Sequence, residues 1–275
     1  IGAFVGELSE DKMIDYMSVP LNAFAEEGLE AHQILNSMNE VANNNAVEMD
    51  HLGAAYTRAA QTAALSGTSF SELTGLIGAA QESTRLGGET IGTSLRQMDV
   101  NIGRIATKST KGLEKKFDFF KDIGVDITDT NGEIRSTFDI LQDLEGVWGN
   151  LDSVTQRQAA IDLAGSRGQA VMSGLMGNWE SVMKMMGEAD GQMGFGEGFG
   201  SAYDEFAIQA DSLEYKSIQV KNAWQEFLNT VSGGSDTFKG MFDVALEGID
   251  KLTKFTQNEN AMGFTASIAS MLGAG

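Results

Sequence analysis

The alternation of apolar and polar positions predicts a chain that is mainly α-helical. Apolar residues recur at spacings of three and four, which places them on one face of a helix. One such stripe comprises Leu73, Leu76, Ile77 and Ala80. A longer stripe comprises Ile91, Leu95, Met98, Ile102 and Ile105. These patterns indicate amphipathic helices that share a buried core.

Short motifs mark where several helices begin and end. Ser69 is followed three residues later by Glu72, which is the spacing of a capping box. Ser153 and Gln156 repeat that spacing and predict a second helix start. Gly67 is predicted to end a helix. The inward face of that helix consists mostly of small residues and comprises Leu52, Ala55, Tyr56, Ala59 and Ala63. Such a face predicts that another helix approaches closely.

One stretch departs from helical spacing and predicts a β-hairpin at about 125–135. Val125 and Ile127 alternate with polar residues, and Ile134 does the same after the pair Asn131-Gly132. A period of two on both sides of Asn-Gly is the signature of two strands joined by a tight turn. We expect this hairpin to be the only sheet in the chain.

Helical patterns resume after the hairpin. One predicted helix points Phe138, Leu141, Leu144 and Trp148 inward. The next contains Gln158, Ile161 and Ala164 and is expected to end at Gly165 or Gly168. A methionine-rich helix then runs from about 169 to 186, where methionine serves as adaptable core filling.

The last third predicts a different kind of packing. Residues 187–200 are rich in glycine and read as a flexible linker. Beyond it, apolar residues at spacings of four and three predict a coiled-coil-like seam for self-association, whose candidate residues are Phe206, Leu213, Val220, Trp224, Phe227 and Val231. Gly233-Gly234 interrupts the pattern, which then resumes, so the helices form an αα-hairpin or an oligomeric bundle.

We therefore predict a mainly α fold in five parts. An N-terminal helical segment spans 1–50, and a helical core with the β-hairpin spans 51–186. The linker at 187–200 leads to the coiled-coil-like helices of 201–257. An uncharged tail follows at 258–275.

Charge narrows the range of partners. The formal net charge of −20 over 275 residues argues against nucleic-acid binding, because phosphate contacts need lysine and arginine. Between Arg104 and Lys121 the sign reverses, with six basic residues against two acidic ones. This stretch is either a solvated helix face or a contact for an acidic partner, such as residues 185–215 of another copy, which carry seven acids and no lysine.

No motif in the chain predicts catalysis, a cofactor or a metal. His32 and His51 stand nineteen residues apart without a third ligand nearby. The glycines between 194 and 200 follow no predicted strand and lack the lysine of a phosphate-binding loop. There is no cysteine and no Gly-x-Ser-x-Gly elbow. We expect a protein that is not an enzyme.

An ordered series of segments resembles the core domain of phage tail tape measure proteins. The series comprises Ala64-Leu-Ser-Gly-Thr-Ser-Phe-Ser-Glu-Leu73, Leu86-Gly-Gly-Glu-Thr-Ile-Gly-Thr-Ser-Leu-Arg96, Phe120-Lys-Asp-Ile-Gly-Val-Asp-Ile127, Asn131-Gly132, Phe138-Asp-Ile-Leu-Gln-Asp-Leu144 and Gln158-Ala-Ala-Ile-Asp-Leu-Ala-Gly165. The resemblance covers about residues 54–186. The basic stretch at 107–116 departs from it.

The resemblance implies a virion component that acts in tail assembly and length determination and is released during DNA ejection. It further implies contacts with other copies of itself, tail tube and tail tip proteins, assembly chaperones in the host cytoplasm, and the host membrane during ejection. A protein that measures length by a continuous helix extends by about 1.5 Å per residue. Glycines interrupt the predicted helices of this chain, so it cannot form such a rod. We therefore expect an anchoring, capping or tip-proximal module beside the rod.

Two other classes of function remain open at this point. A secreted helical effector or pore-forming protein would also carry acidic charge, a methionine-rich helix and an uncharged end. A cell-wall hydrolase within a tail protein is the enzymatic alternative.

Overall fold

The computed structural model describes residues 8–196 and 200–210. The residues of the chain contact one another mainly within two compact units, Ile1–Glu205 and Phe206–Gly275. The described residues hold ten α-helices and one short 3-10 turn, Ala25–Glu27. The helices are α1 Glu10–Ala23, α2 Ala31–Asn44, α3 Met49–Leu65, α4 Phe70–Thr84, α5 Gly88–Thr107, α6 Leu113–Asp122, α7 Thr137–Trp148, α8 Ser153–Met176, α9 Trp179–Gly191 and α10 Ser201–Ala210.

The helical class and the first capping box are confirmed. The Oγ of Ser69 accepts from the backbone N–H of Glu72 at 3.3 Å, and Glu72 Oε2 accepts from the N–H of Ser69 at 2.7 Å. At α8 the cap differs from the predicted one. Asp152 lies one residue earlier than Ser153, and its carboxylate accepts from the backbone N–H groups of Val154 and Thr155. A carboxylate at that position already satisfies the first amides of the helix.

The predicted β-hairpin is wrong. The described residues contain one isolated antiparallel bridge, between Thr128 and Ile134, and no strand. The cause is the side chain of Asp129, whose Oδ1 accepts from the backbone N–H groups of Asn131 and Glu133 at 2.8 and 2.9 Å. An aspartate that binds nearby amides favours a compact loop over a ladder of strand hydrogen bonds.

Close helix packing forms the core, as the small-residue face of α3 predicts. A methyl group added at Gly92 of α5 would lie 2.4 Å from the carbonyl oxygen of Ala55 in α3. One added at Gly75 of α4 would lie 2.5 Å from the carbonyl oxygen of Val182 in α9. Glycine at these positions lets the backbones approach more closely than any side chain would allow.

The predicted methionine-rich helix is two helices. Helix α8 continues through a kink at Gly165, whose φ of 69° and ψ of 175° are not helical. It ends at Met176, and α9 begins at Trp179. Asn178 separates them with a φ of −143°, and its side chain donates to Glu82 in α4 at 3.1 Å. The break thus follows from a tertiary contact that no local pattern shows.

The region expected to be a linker begins in a helix. Helix α9 continues to Gly191, so the first five residues of 187–200 are helical. Gly200 has a φ of 104° and packs against Asn36, where an added methyl group would lie 2.3 Å from Nδ2. Among the described helices, none has both the length and the apolar character that crossing a membrane requires.

Candidate functional site

The predicted self-association seam lies mostly outside the described residues. Phe206 belongs to α10, at the start of the second unit. The other five candidates, Leu213, Val220, Trp224, Phe227 and Val231, fall beyond residue 210. The seam therefore stays a prediction.

A groove opens where α3 and α5 meet the loop that precedes α7. Its cavity volume is about 570 Å³. The lining residues are Thr62, Leu65, Ser66 and Gly67 from α3 and its cap, Asp99, Val100, Ile102 and Gly103 from α5, and Ile134 and Ser136 from the loop. This volume falls within the range of sites that bind a ligand or a partner side chain.

The rim of the groove is apolar and exposed. Leu65 is 90% exposed, Val100 44% and Ile134 43%. Single exposed apolar residues are ordinary on a protein surface, and these three surround one concavity.

The floor of the groove is polar and incompletely paired. Ser66 Oγ donates to Asp99 Oδ1 at 3.4 Å. The second oxygen, Oδ2, and the Oγ1 of Thr137 are enclosed, and neither makes a hydrogen bond of normal geometry. They are the two such buried side-chain atoms within the described part of the chain. Buried polar groups almost always have partners, and the hydroxyl of Thr137 is near enough to the Asp99 carboxylate to favour its charged form.

The environment of Asp99 favours its neutral form. Burial raises the pKa of Asp99, and the nearby hydroxyls of Thr137, Thr62 and Ser66 offset part of that rise. Removing water from a carboxylate disfavours its charge. A cationic or hydrogen-bond-donating partner in the groove would act in the opposite direction.

A second exposed surface lies on the first half of α8. Val154 is 77% exposed and Ile161 is 38% exposed, seven residues further along. Arg157 lies between them, is exposed, and forms no ion pair with a described residue. Residues at i, i+3 and i+7 share one face of a helix.

The basic stretch is divided between internal and exposed roles. Lys116 Nζ lies 2.6 Å from Oδ1 of Asp162, which is almost fully buried. Lys108 Nζ lies 4.2 Å from the ring centre of Phe117. The other four basic residues, Arg104, Lys111, Lys115 and Lys121, are exposed and form no ion pair within the described residues.

Helix α2 holds residues 189–193 and 201–202 through its polar side chains, an arrangement that we call the α2 clamp. Ser37 Oγ donates to the carbonyl of Ala189 at 2.9 Å, and Asn39 Nδ2 donates to Ser201 Oγ at 2.9 Å. Gln33 Nε2 donates to the carbonyl of Met193. The backbone N–H of Ala202 donates to Asn36 Oδ1 at 3.1 Å. The clamp thus fixes the chain just before the second unit begins.

The two histidines have structural surroundings. His32 Nε2 lies 2.9 Å from the carbonyl oxygen of Phe195, and His51 Nδ1 contacts the amide of Gln81. In the part of the chain that the structure describes, no three histidine, aspartate or glutamate side chains converge as a metal site would require.

Sequence reasoning missed the groove and the clamp. The available signal was that Leu65 and Val100 each follow a buried stripe residue by two positions, which places them on the opposite side of the helix. The polar run in α2 was equally visible, but its partners lie about 160 residues away.

The described residues therefore define a helical module with an exposed groove and a polar clamp. A sequence family described as phage-related minor tail protein matches residues 2–165, which is more than half of the chain. The chain belongs to this phage tail family. No solved structure matches it.

Proposed function

We propose that this chain is part of a tail tape measure protein, which acts in tail assembly and length determination and is released during DNA ejection. Membership of the minor tail protein family supports a structural role in the virion. The ordered motifs between residues 64 and 165 support the narrower assignment.

The described unit acts as an anchor beside the ruler. Its longest helix, α8, has 24 residues and is kinked at Gly165. Even a straight helix of that length would reach only about 36 Å. Helix α5 packs closely on α3, and α4 packs on α9, so the chain repeatedly folds back within this unit.

The α2 clamp carries this proposal. Its hydrogen bonds hold Ala189, Ser201 and Ala202 on the folded unit, and the second unit begins four residues later in the sequence, at Phe206. A chain that sets tail length by the length of its helix needs a fixed starting point, because movement of that point would make the tail lengths vary. The clamp supplies such a starting point.

The role requires partners and no reaction. We infer contacts with other copies of this chain, with tail tube and tail tip proteins, and with assembly chaperones in the host cytoplasm. The strongly acidic composition suits a protein that shares the tail with DNA without binding it.

Tail length in phage particles tests this function. We would insert about 42 residues of heptad repeat at Ser217, within the first of the predicted coiled-coil-like helices, which adds about 63 Å of helix. Mean tail length measured by electron microscopy should rise by that amount. The same insert placed at Gly112, in the exposed loop between α5 and α6, should leave the length unchanged. Equal lengths for both variants and the parent phage would overturn the proposal.

A further inference from the structure

We propose that His32 is a proton-dependent latch, which holds residues 192–196 on helix α2 more tightly when its ring is charged. We call residues 192–196 the strap. The ring of His32 lies at the start of α2, between the carbonyl group of Phe195 in the strap and the carboxylate of Glu30. The latch concerns how strongly the strap is held and not what the chain measures, so it does not depend on the proposed function.

Both ring nitrogens of His32 face oxygen atoms that accept hydrogen bonds. Nε2 lies 2.9 Å from the carbonyl oxygen of Phe195, and Nδ1 lies 3.2 Å from Oε2 of Glu30. A carbonyl oxygen can only accept, so Nε2 must carry a proton to bind it. A neutral imidazole has no second proton for Nδ1, whereas the imidazolium ion donates from both nitrogens. The observed arrangement therefore suits the charged ring.

The surroundings of the two partners make the charge of the ring matter. The side chain of His32 is 10% exposed, whereas that of Glu30 is 70% exposed. Exposed carboxylates stay ionised between about pH 5.5 and about pH 8. Loss of the ring proton would leave the lone pair of Nδ1 against this carboxylate, and the two would repel. The bond to Phe195 would also weaken, because a charged donor binds more strongly than a neutral one.

Glu30 is the charged group that pairs with His32 within the described part of the chain. The strap contains no charged residue. The other charged residues on neighbouring parts of α1, the 3-10 turn, α9 and α10 are Asp11, Asp15, Glu26, Asp190, Asp204 and Glu205. None of them forms an ion pair with His32, and Glu205 instead accepts from Asn43, eleven residues further along α2.

The His32 latch extends the α2 clamp along the strap. Gln33, the next residue of α2, donates to the carbonyl of Met193. The amide of Gln33 does not titrate, so this bond is the same at every pH. Loss of the proton from His32 therefore weakens the hold on Phe195 while Met193 stays bound. The charge of one ring determines how much of the strap is held on α2.

Limited proteolysis of the full chain at about pH 5.5 and about pH 8 tests the latch, because histidine changes its charge in this range. His32→Gln keeps an N–H group for Phe195 but cannot gain a proton. At the lower pH, a broad-specificity protease should cut the parent strap about three- to tenfold more slowly than the strap of His32→Gln. At the higher pH the two rates should converge. Comparing both chains at each pH cancels the pH dependence of the protease.

Two further variants serve as controls. His51→Gln removes the other histidine, which contacts Gln81 instead of the strap, and its strap should be cut at the parent rate at both pH values. Glu30→Gln removes the charge beside Nδ1 and should reduce the difference between the parent rates at low and high pH. A strap in His51→Gln that responds like the strap in His32→Gln would overturn the inference.

Nitrogen-15 NMR of the imidazole rings tests the same claim in the unmodified chain. The chain has two histidines, and the spectrum of His51→Gln assigns their signals. Both ring nitrogens of His32 should carry protons at about pH 5.5, and Nε2 alone at about pH 8. A ring that is neutral at the lower pH, or that carries its proton on Nδ1 at the higher pH, would contradict the latch.

A cleavage ratio between the parent and His32→Gln that is the same at both pH values would also overturn the inference. None of these outcomes bears on tail length, so the latch and the proposed function fail separately.

Discussion

The side chain of Asn36 and the backbone of Ala202 are joined by a buried hydrogen bond of 3.1 Å across 166 residues of sequence. Gly200, two residues before Ala202, packs on the same asparagine with a φ of 104°. A short polar contact thus determines where the chain leaves the first unit.

Replacing Asn36 with leucine should loosen the α2 clamp. The substitution leaves the N–H of Ala202 buried without an acceptor, which costs about 1–3 kcal/mol. Thermal unfolding should occur at lower temperature, and limited proteolysis should cut faster between residues 192 and 200. Asn43→Leu is the matched control, because its bond to Glu205 is exposed to solvent. Equal cleavage rates for the two variants would contradict the clamp.

Replacing Gly92 with alanine should destabilise the contact between α3 and α5. The new methyl group would lie 2.4 Å from the carbonyl oxygen of Ala55, so the backbones must separate, at about 1–3 kcal/mol. Gly103→Ala in the same helix meets no atom within 4 Å and should stabilise the helix by about 0.5–1 kcal/mol. Urea unfolding measures both. A stabilising Gly92→Ala would show that the helices are not closely packed.

Ionisation of Asp99 should make stability depend on pH. Burial raises its pKa above the ordinary value of 3.8, so the folded state holds the proton more tightly than the unfolded state. Below 3.8 both states are protonated and there is no penalty. As the pH rises from 3.8 through the raised pKa, stability falls. Asp99→Asn should therefore raise the free energy of unfolding at neutral pH, and it should change that free energy less at pH 4.

Chemical unfolding of the parent and Asp99→Asn across this pH range checks that sign. A stability difference that is the same at pH 4 and pH 7 would argue against the titration of Asp99.

Removing the charge of Lys116 should destabilise α6 and α8 together. Asp162 is almost fully buried and relies on Lys116 at 2.6 Å and on Gln158 at 2.7 Å. Lys116→Met leaves the buried carboxylate without a cation, at a cost of about 1–3 kcal/mol. Lys115→Met, at the exposed neighbouring position, should change the free energy of unfolding very little. Urea unfolding distinguishes them, and similar losses for both would contradict the role of the ion pair.

The predicted seam beyond residue 210 should govern self-association. Replacing Trp224 and Phe227 with serine should weaken it far more than replacing Lys115 with serine, because buried aromatic contacts contribute more than solvated charges. Sedimentation of the full chain measures the effect. Loss of association by Lys115→Ser to the same degree would count against the seam.

Helix positions were predictable where the cause is local. The box formed by Ser69 and Glu72 depends on residues three apart, and the structure confirms it. The hairpin failed for an equally local reason, since Asn131-Gly132 favours a turn, but Asp129 takes the amides that a strand would use. Both outcomes depend on side chains that lie only a few residues apart in the sequence.

The surfaces were not predictable, because they form from distant residues. Leu65, Asp99 and Ile134 come together only when α3, α5 and the loop before α7 pack. In the sequence each is an ordinary residue near a helix end or a turn. The exposed face of α8 was not predictable either, because a pattern of three and four gives the period of a helix but not its rotation toward the core.

The kink at Gly165 divides α8 into two lengths that touch different neighbours. Before it, Asp162 meets Lys116 in α6; after it, Gly174 lies against Ser83 and Thr84 in α4. Gly165, with a φ of 69°, thus bends what would otherwise be one straight helix. The number of residues in this part of the chain therefore exceeds what its end-to-end distance would suggest for a straight helix.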